Sequence, residues 1–169
     1  MFSTETATKK LLLCRHADVL PAYFGQTDFD RKLSQRGIVQ CQQGKIWLQQ
    51  HVPVKPIFIC SAAERARATA ILLASAFEDA QVQSFEELYE CPASGLLRFV
   101  NNLPESGSFL MLTGHNPGIS AFASNLSEHN FTFSTCQMVL LELFAEKWDE
   151  VSFGAAEVKK VFVPDEIGS

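Results

Sequence analysis

The five cysteines, Cys14, Cys41, Cys60, Cys91 and Cys136, include no Cys-x-x-Cys pair, and their number is odd. They read as small hydrophobes of a reducing compartment. None heads a Cys-x5-Arg loop, which sets aside a cysteine nucleophile of that kind. Clusters of Lys and Arg are also missing. With a net charge of -5 and a pI near 5.3, the chain offers no surface for nucleic acid or an anionic membrane. No apolar run approaches the roughly 20 residues of a membrane span, and Met1 to Thr8 lacks the apolar core of a signal segment. The expected location is cytoplasmic. Repeats, linkers and low-complexity tracts are absent too, so the 169 residues, 47% of them hydrophobic, predict a single domain over 1–169. Residues 1–9 and 164–169 are expected to be flexible tails.

What is present is an alternation of short apolar runs and helical stripes. Lys10 to Cys14 reads as a buried parallel strand that stops abruptly at Arg15-His16. A long loop, Ala17 to Leu33, carries Pro21, Gly25, Asp18, Asp28 and Asp30, and loops of that length in compact domains are usually functional. Ser34 suits a helix N-cap, and Ile38, Cys41, Lys45, Trp47 and Leu48 trace a helical stripe to about His51. Gly37 and Gly44 inside that helix each cost about 1 kcal/mol relative to Ala, which predicts a close approach at both. Ile57 to Cys60 is a second strand, and Ser61-Ala62-Ala63-Glu64 has the form of a capping box opening a helix from Ala62 to about Phe77. Val82 to Phe85 is a short strand, Leu96 to Asn102 a helix fragment, and Phe109 to Thr113 a strand delivering His115. Asn116 as cap and Pro117 at the first helical position predict a helix over Gly118 to Leu126. Met138–Phe144 with Val151–Phe153 reads as a hairpin, and Val158–Val163 as an edge strand. This order predicts an α/β fold: a three-layer α/β/α sandwich around a mostly parallel mixed sheet.

In such sheets ligands bind at the carboxyl ends of the strands. That rim would collect Arg15, His16, Arg65 and His115. Arginine forks and helix N-termini both bind phosphoryl oxygens, so the set describes a site for a tetrahedral dianion. A magnesium site built from Asp18, Asp28 and Asp30 is the weaker reading, and no metal or other cofactor is expected. His51 is expected to serve a helix C-terminus, and His129 and Arg67 to lie on the surface.

These residues carry a resemblance. Arg15-His16-Ala17 is similar to the Arg-His-Gly of the histidine phosphatase superfamily, which has the phosphoglycerate mutase-like fold. Leu33-Ser34-x-x-Gly37-x-x-Gln40-Cys41-x-x-Gly44, Ser61 through Thr69, and Thr113-Gly114-His115-Asn116-Pro117 resemble its further motifs. The short length and Leu88-Tyr89-Glu90 look most like the small phosphohistidine phosphatase branch. The resemblance implies a metal-independent phosphatase with His16 as nucleophile and a phosphohistidine intermediate. Arg15, Arg65 and His115 would hold the phosphoryl oxygens, and Glu90 stands where larger relatives keep a general acid. The expected partner is a phosphorylated protein. A small phosphate ester or sugar phosphate is the alternative substrate, and a non-catalytic phosphate-binding module the alternative outside enzymes. Ala17 in place of glycine would be strained by about 1–2 kcal/mol if that position has positive φ.

Overall fold

The computed structural model describes residues 8–166. Six strands form one sheet in the order β3-β2-β4-β1-β5-β6, where β1 is Lys9–Arg15, β2 Ile57–Ser61, β3 Val82–Phe85, β4 Phe109–Gly114, β5 Met138–Leu143 and β6 Ala156–Phe162. The first four in sequence run parallel, while β5 is antiparallel to β1 and β6 to β5. Four helices join them: α1 (Gln35–His51), α2 (Glu64–Ala74), α3 (Ala93–Asn101) and α4 (Gly118–Ser127). The α/β/α sandwich expected from the pattern is the observed fold.

Period-two alternation in the central strand divides the core. Leu11 and Leu13 of β1 pack with Leu96 of α3 and with Ile119 and Phe122 of α4 on one face. Leu12 and Cys14 pack with Cys41 and Leu48 of α1 and Leu73 of α2 on the other. A continuous apolar run is what a strand covered on both faces requires. Cys14, Cys41, Cys60 and Cys136 are buried as small hydrophobes, Cys91 is half-buried, and all five are free thiols.

The expected boundaries shift at several points. Lys9, assigned above to the tail, opens β1 and is buried. At the other end the Asp165 amide donates to Gln43 Oε1 (2.9 Å); residues 1–7 and 167–169 of the expected tails lie outside the described residues. The capping box does not form. Ser61 is the last residue of β2, α2 begins at Glu64 with no side-chain cap, and it ends at Ala74, not Phe77. Asn116 does not cap α4; its side chain bonds Phe133 O and Ser120 Oγ instead. Val151–Phe153 is not a strand, and β5 pairs with the later Ala156–Phe162, which is the sheet edge.

Helix α1 starts as expected: Ser34 Oγ accepts from the Gly37 amide (3.0 Å). Its buried face runs through Gly37, Gln40, Cys41, Gly44 and Leu48. A Cβ on Gly37 would overlap the Asp18 carbonyl, so the bare helix face is what lets the loop after β1 lie against α1. A Cβ on Gly44 would crowd the Leu73 Cδ2 methyl at 2.8 Å and the Met138 Cε methyl at 3.3 Å, the ends of flexible side chains, and reach Phe162 Cε1 at an ordinary 3.6 Å. Gly37→Ala is therefore expected to destabilise by about 1–3 kcal/mol, since backbone must move. Gly44→Ala should fall closer to neutral because side-chain adjustment is offset by about 1 kcal/mol of helix propensity. Urea denaturation of the two variants checks the order, and a more stable Gly37→Ala would contradict it.

Candidate active site

Strands β1 and β4 are parallel neighbours in a register that sets Arg15 opposite Gly114, so the next residues, His16 and His115, leave the sheet at the same level. The His16 amide donates to Gly114 O (3.0 Å). The two imidazoles lie 5.2 Å apart, centroid to centroid. Cys60 of β2 pairs with Thr113 of β4, which brings Ser61 to the same rim; its Oγ is 2.8 Å from His115 Nε2. Arg65 reaches in from the first turn of α2 and donates from Nε to His16 Nε2 (3.3 Å). Arg15 donates from Nη1 to Phe133 O (3.0 Å).

His16 Nδ1 is 2.8 Å from the Ala17 carbonyl, which only accepts, so the proton sits on Nδ1 and the lone pair on Nε2. Burial, together with the charges of Arg65, Arg15 and Arg31, outweighs that hydrogen bond and pulls His16 down to about 4. Burial, then the neighbouring His16 and Arg65, pulls His115 down to about 3. Arg15 Nε and His115 Nδ1 are buried without a hydrogen-bond partner within the protein. Unmet polar atoms of this kind call for a ligand or water.

Three further residues hold the turn that follows His16. Thr69 Oγ1 accepts from the Ala17 amide (2.9 Å). Gln40 Oε1 accepts from the Asp18 amide (2.9 Å), and its Nε2 donates to Thr135 Oγ1 (2.9 Å). Ala17 does not have positive φ, so its methyl is buried without strain.

Asp28, considered above only as a magnesium ligand, instead holds Arg65. Its Oδ2 accepts from Arg65 Nη2 (2.9 Å) and from the Tyr89 hydroxyl (2.6 Å), while its carbonyl accepts from Arg65 Nη1 (2.6 Å). The Tyr89 hydroxyl and the Arg65 guanidinium hold the Asp28 carboxyl down at about 2, below the usual carboxylate range. Tyr89 also packs edge-on against His115, with centroids 5.5 Å apart. The only signal for Asp28 lay in the length of its loop. Asp18, Asp28 and Asp30 do not gather: Asp18 bonds Ser34, and Asp30 bonds Thr27. No group of three His, Cys, Asp or Glu placed to hold a metal occurs among the described residues.

Glu90 is exposed, with φ of +51°. It lines a cavity of about 300 Å³ together with His115 and the 116–118 turn. A roomier cavity of about 570 Å³ lies between β2, β3 and α3 and does not include His16 or His115. Arg67 and His129 are exposed, and His51 ends α1 packed on Trp47.

Residues 11–95 match the model of the histidine phosphatase superfamily, branch 1, and so span half of the chain. The chain belongs to that superfamily. It is an enzyme of the histidine phosphatase kind. The uncharacterized protein Rv1276c of Mycobacterium tuberculosis is 30% identical over 151 residues, covering 83% of this chain and 93% of its own. A SixA protein of Nakamurella multipartitia, named as a phosphohistidine phosphatase, superposes with a TM-score of 0.80 at 25% identity, over 93% of this chain and 96% of that one. The protein histidine phosphatase SixA, in a complex with tungstate, shares the fold with a TM-score of 0.75 at 19% identity, over 92% and 97% of the two chains.

Because the fold favours the neutral imidazoles, the unfolded chain binds more protons than the native one between the ordinary value near 6.5 and about 4 for His16 and 3 for His115. Their contribution to stability is therefore lost as pH falls through that window. Proton NMR titration of the two ring Cε1–H signals is expected to show no midpoint above pH 5; a midpoint near 6.5 for either would contradict the burial argument.

Proposed function

We propose that this histidine phosphatase hydrolyses phosphohistidine on a phosphorylated protein through a covalent intermediate on His16. The observation that carries the reading is the state of His16: neutral, with Nδ1–H engaged by Ala17 and the Nε2 lone pair beside Arg65. Nε2 attacks phosphorus in line, a new N–P bond forms, and the bond to the leaving group breaks. Arg15, Arg65 and the unmatched His115 Nδ1 supply donors for the three equatorial oxygens as their charge shifts. Water then attacks the phosphohistidine and releases inorganic phosphate. Asp28 fixes the Arg65 fork by two of its nitrogens, so that Arg65 meets the phosphoryl group already oriented.

An imidazole leaving group departs with a proton from solvent, so this substrate makes no demand on Glu90. Among the described residues no large insertion stands over the site, which suits a bulky substrate. The similar structures, one named as a phosphohistidine phosphatase and one as a protein histidine phosphatase, support the same choice. A second reading, hydrolysis of a small phosphate ester, is favoured by one observation: Glu90 lines the same cavity as His115, where a carboxyl group can protonate a leaving alkoxide.

His16→Ala is expected to abolish turnover of phosphohistidine protein and of an aryl phosphate, and Arg65→Ala to lower it by about 10²–10³-fold. Undiminished turnover by His16→Ala would remove the nucleophile. Glu90→Gln separates the substrates, since phosphohistidine hydrolysis should persist while ester hydrolysis falls if the carboxyl serves as acid. Asp28→Ala is expected to lower kcat by roughly 10–100-fold by freeing the Arg65 fork, with Asp28→Asn retaining more activity because it keeps an acceptor oxygen. Equal activity of the parent and Asp28→Ala would refute the positioning role. EDTA should leave all these rates unchanged.

A further inference from the structure

The loop that walls the site also carries an apolar tip in full contact with water. Tyr23 is 70% exposed and Phe24 104%, as open as in an extended chain, with Leu20 at 50% on the same loop. An aromatic pair left in water on a floppy loop would mean little, but this tip is braced. The Gln26 amide donates to Tyr23 O (2.9 Å), closing a turn with Phe24 at its corner and Gly25 at φ +83°. The Gln26 side chain accepts from the Tyr23 amide (3.3 Å) and donates to Asp30 O (3.1 Å). Below the tip, Arg31 donates twice to Leu20 O (3.2 and 3.1 Å), and the Leu20 amide donates to Lys32 O (2.9 Å). The far end of the same loop is tied to the site by Asp28 on Arg65 and by Phe29, edge-on to Tyr89 with centroids 5.1 Å apart.

We propose that the Tyr23–Phe24 turn is a docking surface for the polypeptide of a phosphorylated protein substrate, gripping an apolar side chain close in sequence to the phosphorylated residue. The inference rests on the phosphoprotein reading above and adds a second contact to it. Phe24 lies four positions before Asp28, whose carboxylate Arg65 binds, so the two backbones stand no more than about 14 Å apart. A polypeptide whose phosphorylated side chain reaches His16 places its flanking residues within that radius. Because the turn is already ordered, binding loses little conformational freedom there, and burial of two aromatic rings goes largely into affinity. The net charge of -5 disfavours the other apolar occupant, an anionic lipid surface.

The test compares the parent with the Tyr23→Ser/Phe24→Ser double variant on three substrates: a protein carrying phosphohistidine, free phosphohistidine, and an aryl phosphate. Expected is a rise of about tenfold or more in KM for the phosphoprotein with kcat little changed, and unaltered kinetics on both small substrates, which also report an intact fold. Equal losses on all three, or no change on the phosphoprotein, would overturn the docking surface while leaving the phosphoprotein reading in place. A parent that turns over the aryl phosphate but not the phosphoprotein would overturn both. Cosedimentation with phosphatidylserine vesicles, or a dimer in analytical ultracentrifugation, that the double variant abolishes would reassign the tip and overturn the proposal.

Discussion

Everything at the site depends on the parallel pairing of β1 with β4 in one register. Because Arg15 stands opposite Gly114, the two chains leave the sheet side by side and their imidazoles come to 5.2 Å. A slip of one residue would turn every side chain of β1 to the other face and separate the pair. The register is specified by the core: Leu11 and Leu13 belong to the α3/α4 side, Leu12 and Cys14 to the α1/α2 side, and neither set can exchange without exposing or crowding apolar groups. Packing thereby determines chemistry at the strand ends.

The second constraint is electrostatic. Two arginines converge on a rim where both histidines are buried and neutral, and Asp28 balances one of the arginines. An uncompensated pair of guanidinium groups facing two imidazoles would carry like-charge strain; the Asp28 carboxylate relieves it and orients Arg65 at the same time. Tyr89 completes the arrangement from a separate segment by bonding Asp28 with its hydroxyl and packing its ring on His115. Loop, helix and strand end are thus joined through one acidic side chain. The histidine phosphatase family match spans Arg15, His16 and Arg65 within residues 11–95; the contacts of Asp28 show how this chain orients Arg65.

Glycine has a specific task in joining these parts. At Gly37 the helix surface is bare where the Asp18 carbonyl lies against it, so the chain leaving His16 can turn along α1 and be held there by Ser34 and Gln40. The loop that begins at that contact continues to the exposed Tyr23–Phe24 turn and returns through Asp28. One segment therefore links the packing of α1, the orientation of Arg65 and the outer surface beside the site.

Strand identity, the order of layers and the gathering of His16, Arg15, Arg65 and His115 at one rim were legible in the sequence, because a strand buried on both faces needs an unbroken apolar run and its polar end stands out sharply. Helix α1 was legible from Ser34 because an N-cap is a local interaction. Ser61 was misread for the opposite reason: a serine followed by glutamate three residues later looks like a cap, but β2 extends through it and its hydroxyl meets His115, 54 residues away. The late pairing of β5 with Ala156–Phe162 and the bonds from Asp28 to Arg65 and Tyr89 likewise join residues far apart in the chain. Local pattern determines where an element begins and which face it buries; only the folded sheet decides which loop closes over its ends, because that depends on contacts no short window of residues contains.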